Sequence, residues 1–268
     1  MKKVLCSILA LALLLTAALA FASCEKEEAK PTLVCGVTDF DPMNFKDAAG
    51  NWTGFDTEFA QLVGEKLGME VKFQQIEWAQ KYNELAAGTI DCIWNGFTAN
   101  ANETDGTARK DLVDFSYSYM LNQQCIVVKK ENLAAYTAPE SLAGKKIAVE
   151  GGSAGDSYAT EQAGEDQIID AASQISTLPE VKSGAADCAV IDVLLAQSMT
   201  GTGDYADLAI AEVELPSEVY AIGFAKGSDL TAKVNDAIKA LDAEGKLAEL
   251  AEKYELENSY KLDTAFGS

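Results

Sequence analysis

The sequence predicts an α/β protein in which parallel sheets are covered by helices, arranged as two lobes of similar design. Three observations predict it. Apolar, strand-like runs alternate with helical periodicity from about residue 33 to residue 254. An internal echo matches Ala87-Gly88-Thr89-Ile90-Asp91-Cys92-Ile93 to Ser183-Gly184-Ala185-Ala186-Asp187-Cys188-Ala189, 96 residues later. The chain, at 268 residues, has room for two units of about 100 residues each. Two ordinary helix–strand turns are the plain alternative for the echo.

The elements follow in order. Leu33–Val37 reads as a short buried strand. Asp56 is a candidate cap for a helix with Phe59, Leu62, Val63 and Leu67 on one face, ended by Gly68. Val71–Ile76 is a strand, Lys81–Ala87 a helix stopped by Gly88, and Ile90–Trp94 a strand. Lys146–Glu150 is a strand and Ser153–Glu161 a helix; Ala186–Ile191 is a strand that leads into another helix. Ser228 or Asp229 caps a helix carrying Leu230, Val234, Ile238 and Leu241, and Leu247, Leu250 and Tyr254 mark a last helix. In parallel α/β sheets, ligands collect beyond the carboxyl ends of strands. Gly96 and Asp192, at the two echoed strand ends, would then face a shared cleft.

Ahead of this body, Lys2 and Lys3 precede an apolar run from Val4 to Ala22, followed by Ser23-Cys24 and a charged stretch. A basic start, an apolar middle and small residues before a polar break describe a secretory signal, residues 1–23. An uncleaved membrane anchor is the alternative. Ala20-Phe21-Ala22 fits ordinary cleavage, and Phe21-Ala22-Ser23-Cys24 fits a bacterial lipobox with Phe in place of the usual Leu. The cysteine and the tether 24–30 favour a lipoprotein, acylated on Cys24 and held on the outer face of a cell membrane.

Composition narrows the function classes. Lys+Arg is 21 and Asp+Glu 42, a formal net charge of −21, and there is no histidine. Residues 1–23 contain two basic residues and no acid, so the remainder carries −23. This deficit of cations argues against a nucleic-acid partner. His-based triads and His-ligated metals are impossible. Cys35, Cys92, Cys125 and Cys188 all sit in apolar runs without metal-ligand spacing, and read as buried thiols with no metal or cofactor role. Pairing into disulfides in an oxidising compartment is the alternative.

GVTDFDPMNF (36–45), WTGFDTEFAQLVGEKLG (52–68), GTIDCIWNGFT (88–98), DLVDFSYSY (111–119), SLAGKKIAVEGGSAG (141–155) and VYAIGFAKGSDL (219–230) together resemble the extracellular solute-binding proteins of amino-acid ABC importers. The likeness covers residues 31–260 in order. It implies a two-lobed, periplasmic-binding-protein-like (type II) fold, each lobe a mostly parallel sheet flanked by helices, joined by two hinge strands. Lobe 1 would be 31–118 plus 222–268 and lobe 2 would be 124–216, with crossings at 119–123 and 217–221. It also implies a monomer without a cofactor, whose partners are a small-molecule amino acid and the importer's membrane subunits.

A free amino acid carries a carboxylate and an ammonium, and burying either unpaired costs several kcal/mol. Arg109 is the candidate donor fork, because a planar guanidinium pairs a carboxylate bidentately. It precedes Asp114-Phe115-Ser116 by five residues, as in the family. The family's G-x-T-x-T-x-E-R places Arg seven after Gly, whereas Gly96 and Arg109 are thirteen apart here, which predicts a longer loop at the cleft mouth. A solvated Arg beside Asp111 and Asp114 is the alternative. Thr98 and Gly96 match positions beside the carboxylate. Ser153 and Ala154, after Gly151-Gly152 at a helix start, match a turn whose free N–H groups serve the same carboxylate. An ordinary glycine turn is the alternative there.

Asp192 matches the aspartate that receives the α-ammonium; on local sequence it reads equally as a helix N-cap. Phe40 and Trp78 match two aromatics that sandwich the ligand side chain, with core packing as the alternative. Asp39 and Asn95 are secondary candidates for reading that side chain. Val37 stands where binders of basic amino acids often carry Asp, which points to a small polar or neutral ligand unless Asp39 restores the charge. Two other classes compete: an enzyme on the same scaffold, such as a cyclohexadienyl-type dehydratase, and a ligand-sensing domain. Neither a carboxylate pair nor a nucleophile–base pair is placed in the cleft by the sequence.

Overall fold

The computed structural model describes residues 30–267. The expected signal, Cys24 and all but the last residue of the tether lie outside the described residues. In chain order the elements are β1 (Thr32–Val37), β2 (Phe45–Lys46), β3 (Trp52–Thr53), α1 (Phe55–Leu67), β4 (Glu70–Gln75), α2 (Lys81–Ala87), β5 (Cys92–Ile93), α3 (Arg109–Leu112), β6 (Asp114–Phe115) and β7 (Ser118–Lys129). They continue as β8 (Ile147–Glu150), α4 (Ala154–Ala163), β9 (Ile168–Ala171), α5 (Gln174–Ser183), β10 (Cys188–Asp192), α6 (Val193–Met199), β11 (Leu208–Ile210), β12 (Ser217–Tyr220), β13 (Gly223–Phe224), α7 (Asp229–Ala243), α8 (Lys246–Lys253) and β14 (Tyr260–Asp263).

Two sheets organise them. The first has the order β4-β1-β5-β13-β6 and the second β11-β7-β10-β8-β9, with β12 and β14 also paired to β7. β1 is parallel to β4 and β5, and β8 is parallel to β9 and β10. In the first sheet β13 pairs antiparallel with β5 and β6, and in the second β7 pairs antiparallel with β10 and β11. The long strand β7 pairs with β12, Ser217 opposite Gln123 and Tyr220 opposite Met120, so the two segments expected to cross between lobes lie side by side. Among the described residues no helix is long and apolar enough to cross a membrane.

The sequence echo has a physical basis. α2 ends at Gly88 and α5 at Gly184, both left-handed, where a side chain would be strained. Asp91 then accepts the Val34 N–H at 2.7 Å, and Asp187 accepts the Lys146 N–H at 2.9 Å. Each aspartate thereby fastens one parallel strand to its neighbour. The strand expected over Ile90–Trp94 forms ladder pairs only at Cys92–Ile93.

Asp56 is not a cap. The cap position of α1 is Gly54, and Asp56 sits inside the helix, fully buried, accepting the Gly96 N–H at 2.7 Å. Ser153 and Ser228 cap α4 and α7, accepting the N–H of Asp156 and Leu230. The core under α1 holds Phe55, Phe59, Trp94 and Tyr119, with Phe59 edge-on to Trp94 at 5.1 Å. Cys35, Cys92, Cys125 and Cys188 are buried free thiols.

Candidate ligand-binding site

A small cavity of about 10 Å³ lies where the carboxyl ends of β1, β5, β8 and β10 converge. Phe40, Trp78, Gly96, Thr98, Arg109, Ser153, Ala154 and Asp192 all line it, and so does Asn95. Asp39 does not; its neighbours Thr38 and Phe40 face inward, as the two-residue alternation of extended chain requires. Sequence reasoning missed Thr38, Glu150 and Gln174. Glu150 was legible as the last residue of an apolar strand, placed by the same rule that singled out Asp192.

The cationic half is built by the long loop after Thr98. Glu103 N–H donates to Thr107 O, Gly106 N–H to Glu103 O and Arg109 N–H to Ala101 O, which closes the extra residues into a tight excursion. The excursion carries Glu103 back to Arg109, whose Nε donates to Glu103 Oε1 at 2.7 Å. Nη1 donates to Thr98 O at 3.1 Å and Nη2 to Gly152 O at 3.2 Å. The guanidinium is 1% exposed and lies over the Phe97 ring. The solvated alternative is therefore excluded. Three of its five N–H groups are used, which leaves one on each terminal nitrogen. Lys81, equally buried, donates to Gly152 O at 2.9 Å and lies 3.6 Å from Glu103. Burial and the nearby Arg109 lower its pKa to about 8.

The acidic half has no such pairing. Asp192 stands at the N-cap position of α6, yet its side chain caps nothing. Its Oδ1 accepts from Asn122, from Gln124 at 3.0 Å and from the Tyr220 hydroxyl at 2.9 Å, and its Oδ2 accepts from Gln174. Asn122 and Gln124 also donate to Glu218 Oε2, at 2.8 and 3.0 Å. They stand two apart on β7, so both face the same side of the sheet, and the polar run Asn122-Gln123-Gln124 between apolar stretches was the available signal. Burial raises the pKa of Asp192, offset in part by these donors and Arg109. Burial and Asp192 raise Glu218 to about 7; burial and Asp192 raise Glu150 to about 8, with Lys81 and Arg109 opposing.

Backbone and rings complete the walls. Gly96 has φ +52°, and a Cβ there would meet Phe40 Cε1 at 2.4 Å, so only glycine lets the chain pass under this ring. Phe40 is edge-on to Tyr220, and Trp78 to Phe97. Asn95 spends its amide on Thr38 and Asn44, which fixes the β1 exit.

The chain matches the family model of bacterial extracellular solute-binding proteins, family 3, over residues 33–257. The arginine-binding extracellular protein ArtP of Bacillus subtilis (strain 168) is 29% identical over 85% of this chain and 88% of its own length. The L-cystine-binding protein TcyJ of Escherichia coli (strain K12) is 27% identical over 85% and 84%. Among solved structures, an ancestral arginine-binding protein bound to glutamine superposes with a TM-score of 0.77 at 30% identity, covering 85% of this chain and 99% of that one. Fold and sequence agree, and the chain belongs to the bacterial extracellular solute-binding proteins of family 3.

Proposed function

We propose that this protein captures a free amino acid between its lobes, outside the cytoplasmic membrane, and delivers it to an ABC importer. One observation carries the reading. Arg109 and Asp192 line a single small cavity, the first with two unused N–H donors and the second with an oxygen bonded only to Gln174. These are the partners an α-carboxylate and an α-ammonium require when both leave water. Thr98, and the N–H groups of Ser153 and Ala154 at the start of α4, would complete the carboxylate site. Relatives that bind arginine and cystine support the ligand class.

The cavity has room for about one water, so ligand enters only when the walls part. We assign the motion to 119–123 and 217–221, between a lobe of 31–118 plus 222–268 and a lobe of 124–216. Closure would be selected by contacts made to both lobes at once. The reading assigns capture and release rather than turnover, by a monomer tethered through acylated Cys24. Isothermal calorimetry of the folded protein against the twenty amino acids tests it. Saturable heat from one or a few is expected; silence from all twenty would sink the reading.

A further inference from the structure

The amino-acid reading occupies Arg109 and Asp192 and leaves one carboxylate of the wall without a task. Glu150 ends β8, is 3% exposed and lines the cavity. Its Oε1 accepts no hydrogen bond, and Gln174 is the amide beside its carboxylate. Among the described residues no Lys or Arg nitrogen lies within 4 Å of it: the nearby cations, Lys81 and Arg109, form their ion pairs with Glu103. The register of β8 on β10 sets Ile147 opposite Cys188, so Glu150 falls opposite Ile191, one residue before Asp192. Two carboxylates thus stand at the ends of adjacent parallel strands, one residue out of register, and both line the cavity.

Charge then discriminates between ligands. Glu150, Asp192 and Glu218 face Lys81 and Arg109, and Glu103 already draws on both cations. A zwitterion with a neutral side chain adds no net charge to this set. A ligand with a side-chain cation adds one positive charge next to a buried oxygen that lacks a donor. Phe40 and Trp78 line the same cavity, and aromatic rings attract a cation placed over them, as Lys81 over Trp78 shows. The elevated pKa of Glu150 fits a group that holds a proton where a cation would otherwise sit.

We propose that Glu150 is the counter-ion for a positively charged ligand side chain, so that the captured solute is a basic amino acid ending in an ammonium or a guanidinium. The proposal rests on the amino-acid reading and narrows it. It replaces the small polar or neutral ligand that Val37 suggested, because the charge missing at the end of β1 is supplied from the other sheet.

Calorimetry of the full chain with L-arginine, L-lysine and L-citrulline, the uncharged isostere of arginine, tests it. Arginine or lysine is expected to bind at least about 100-fold tighter than citrulline. In Glu150→Gln that preference is expected to shrink by about tenfold or more, with the arginine affinity falling further than the citrulline affinity. Equal wild-type affinity for citrulline and for the basic amino acids would overturn the proposal, whatever the variant does. So would a variant that keeps the full preference. If neutral amino acids bind and basic ones do not, the proposal fails while the amino-acid reading stands; if none binds, both fail.

Discussion

On one side of the cavity Lys81 and Arg109 share a carboxylate, Glu103, carried to them by the loop after Thr98. On the other, Asp192 and Glu218 share two amides, Asn122 and Gln124, and Glu150 has Gln174. The first side carries its own counter-ion; the second has dipoles alone. Dipoles hold a buried carboxylate in place but supply no opposite charge, and the raised pKa values of Glu150, Asp192 and Glu218 record the difference. The lesson is that a ligand can compensate only the side the fold leaves uncompensated. On the proposed reading the basic wall would hold a carboxylate, and the acidic wall is short of a cation.

The sharpest way to break this contrast is to remove either anchor. Asp192→Ala and Arg109→Ala should each weaken ligand binding by about 2–5 kcal/mol, because each leaves a charged end of the ligand buried alone. Calorimetry on variants that keep the wild-type melting profile checks this, and near-native affinity would remove that residue from the site. Second is the counter-ion itself. Glu103→Gln should cost about 3 kcal/mol of stability, since it strands two buried cations, and urea denaturation would show it. Stability equal to wild type would mean the basic side was never paired through Glu103.

Third, Gly96→Ala should destabilise by about 1–3 kcal/mol and weaken binding, as the added Cβ strains the backbone and displaces Phe40. Chemical denaturation and ligand titration report both effects. The fourth test is pH. Glu150 at about 8, Glu218 at about 7 and Asp56 at about 7 all titrate above the ordinary carboxylate range in the folded protein. Folded protein therefore holds protons that the unfolded chain has already released. Ligand-free stability should fall as pH rises from about 5 to about 8. Lys81, lowered to about 8, acts in the opposite sense only above that window. Differential scanning calorimetry across these pH values checks the sign, and Glu150→Gln should give a shallower slope.

Much of this was legible in the sequence. The strand ends at Gly96 and Asp192 and the helix start at Ser153 follow from local periodicity and capping, and the cavity gathers them. Glu150 was legible as a strand-end carboxylate, but its grouping with Asp192 was not. It joins Asp192 only because β8 lies beside β10, and Asn122 and Gln124 only because β7 runs along the other side of β10. Strand order is a long-range property that a local pattern does not encode. Asp56 misled for a related reason: a first-turn aspartate looks like a cap, and only the packing of α1 against the Gly96 turn gives it another use.

The carbonyl of Gly152 has a kinetic consequence. Lys81 and Arg109, which follow strands of the first sheet, both donate to this one oxygen, which follows a strand of the second. If the lobes part as proposed, both bonds break together, and each is stiffened by the pull of a charged donor. Solute exchange would then be timed by the release of this clasp rather than by diffusion to the mouth. In stopped-flow mixing, the observed association rate should level off at high solute concentration, and the plateau should be the rate at which the clasp opens.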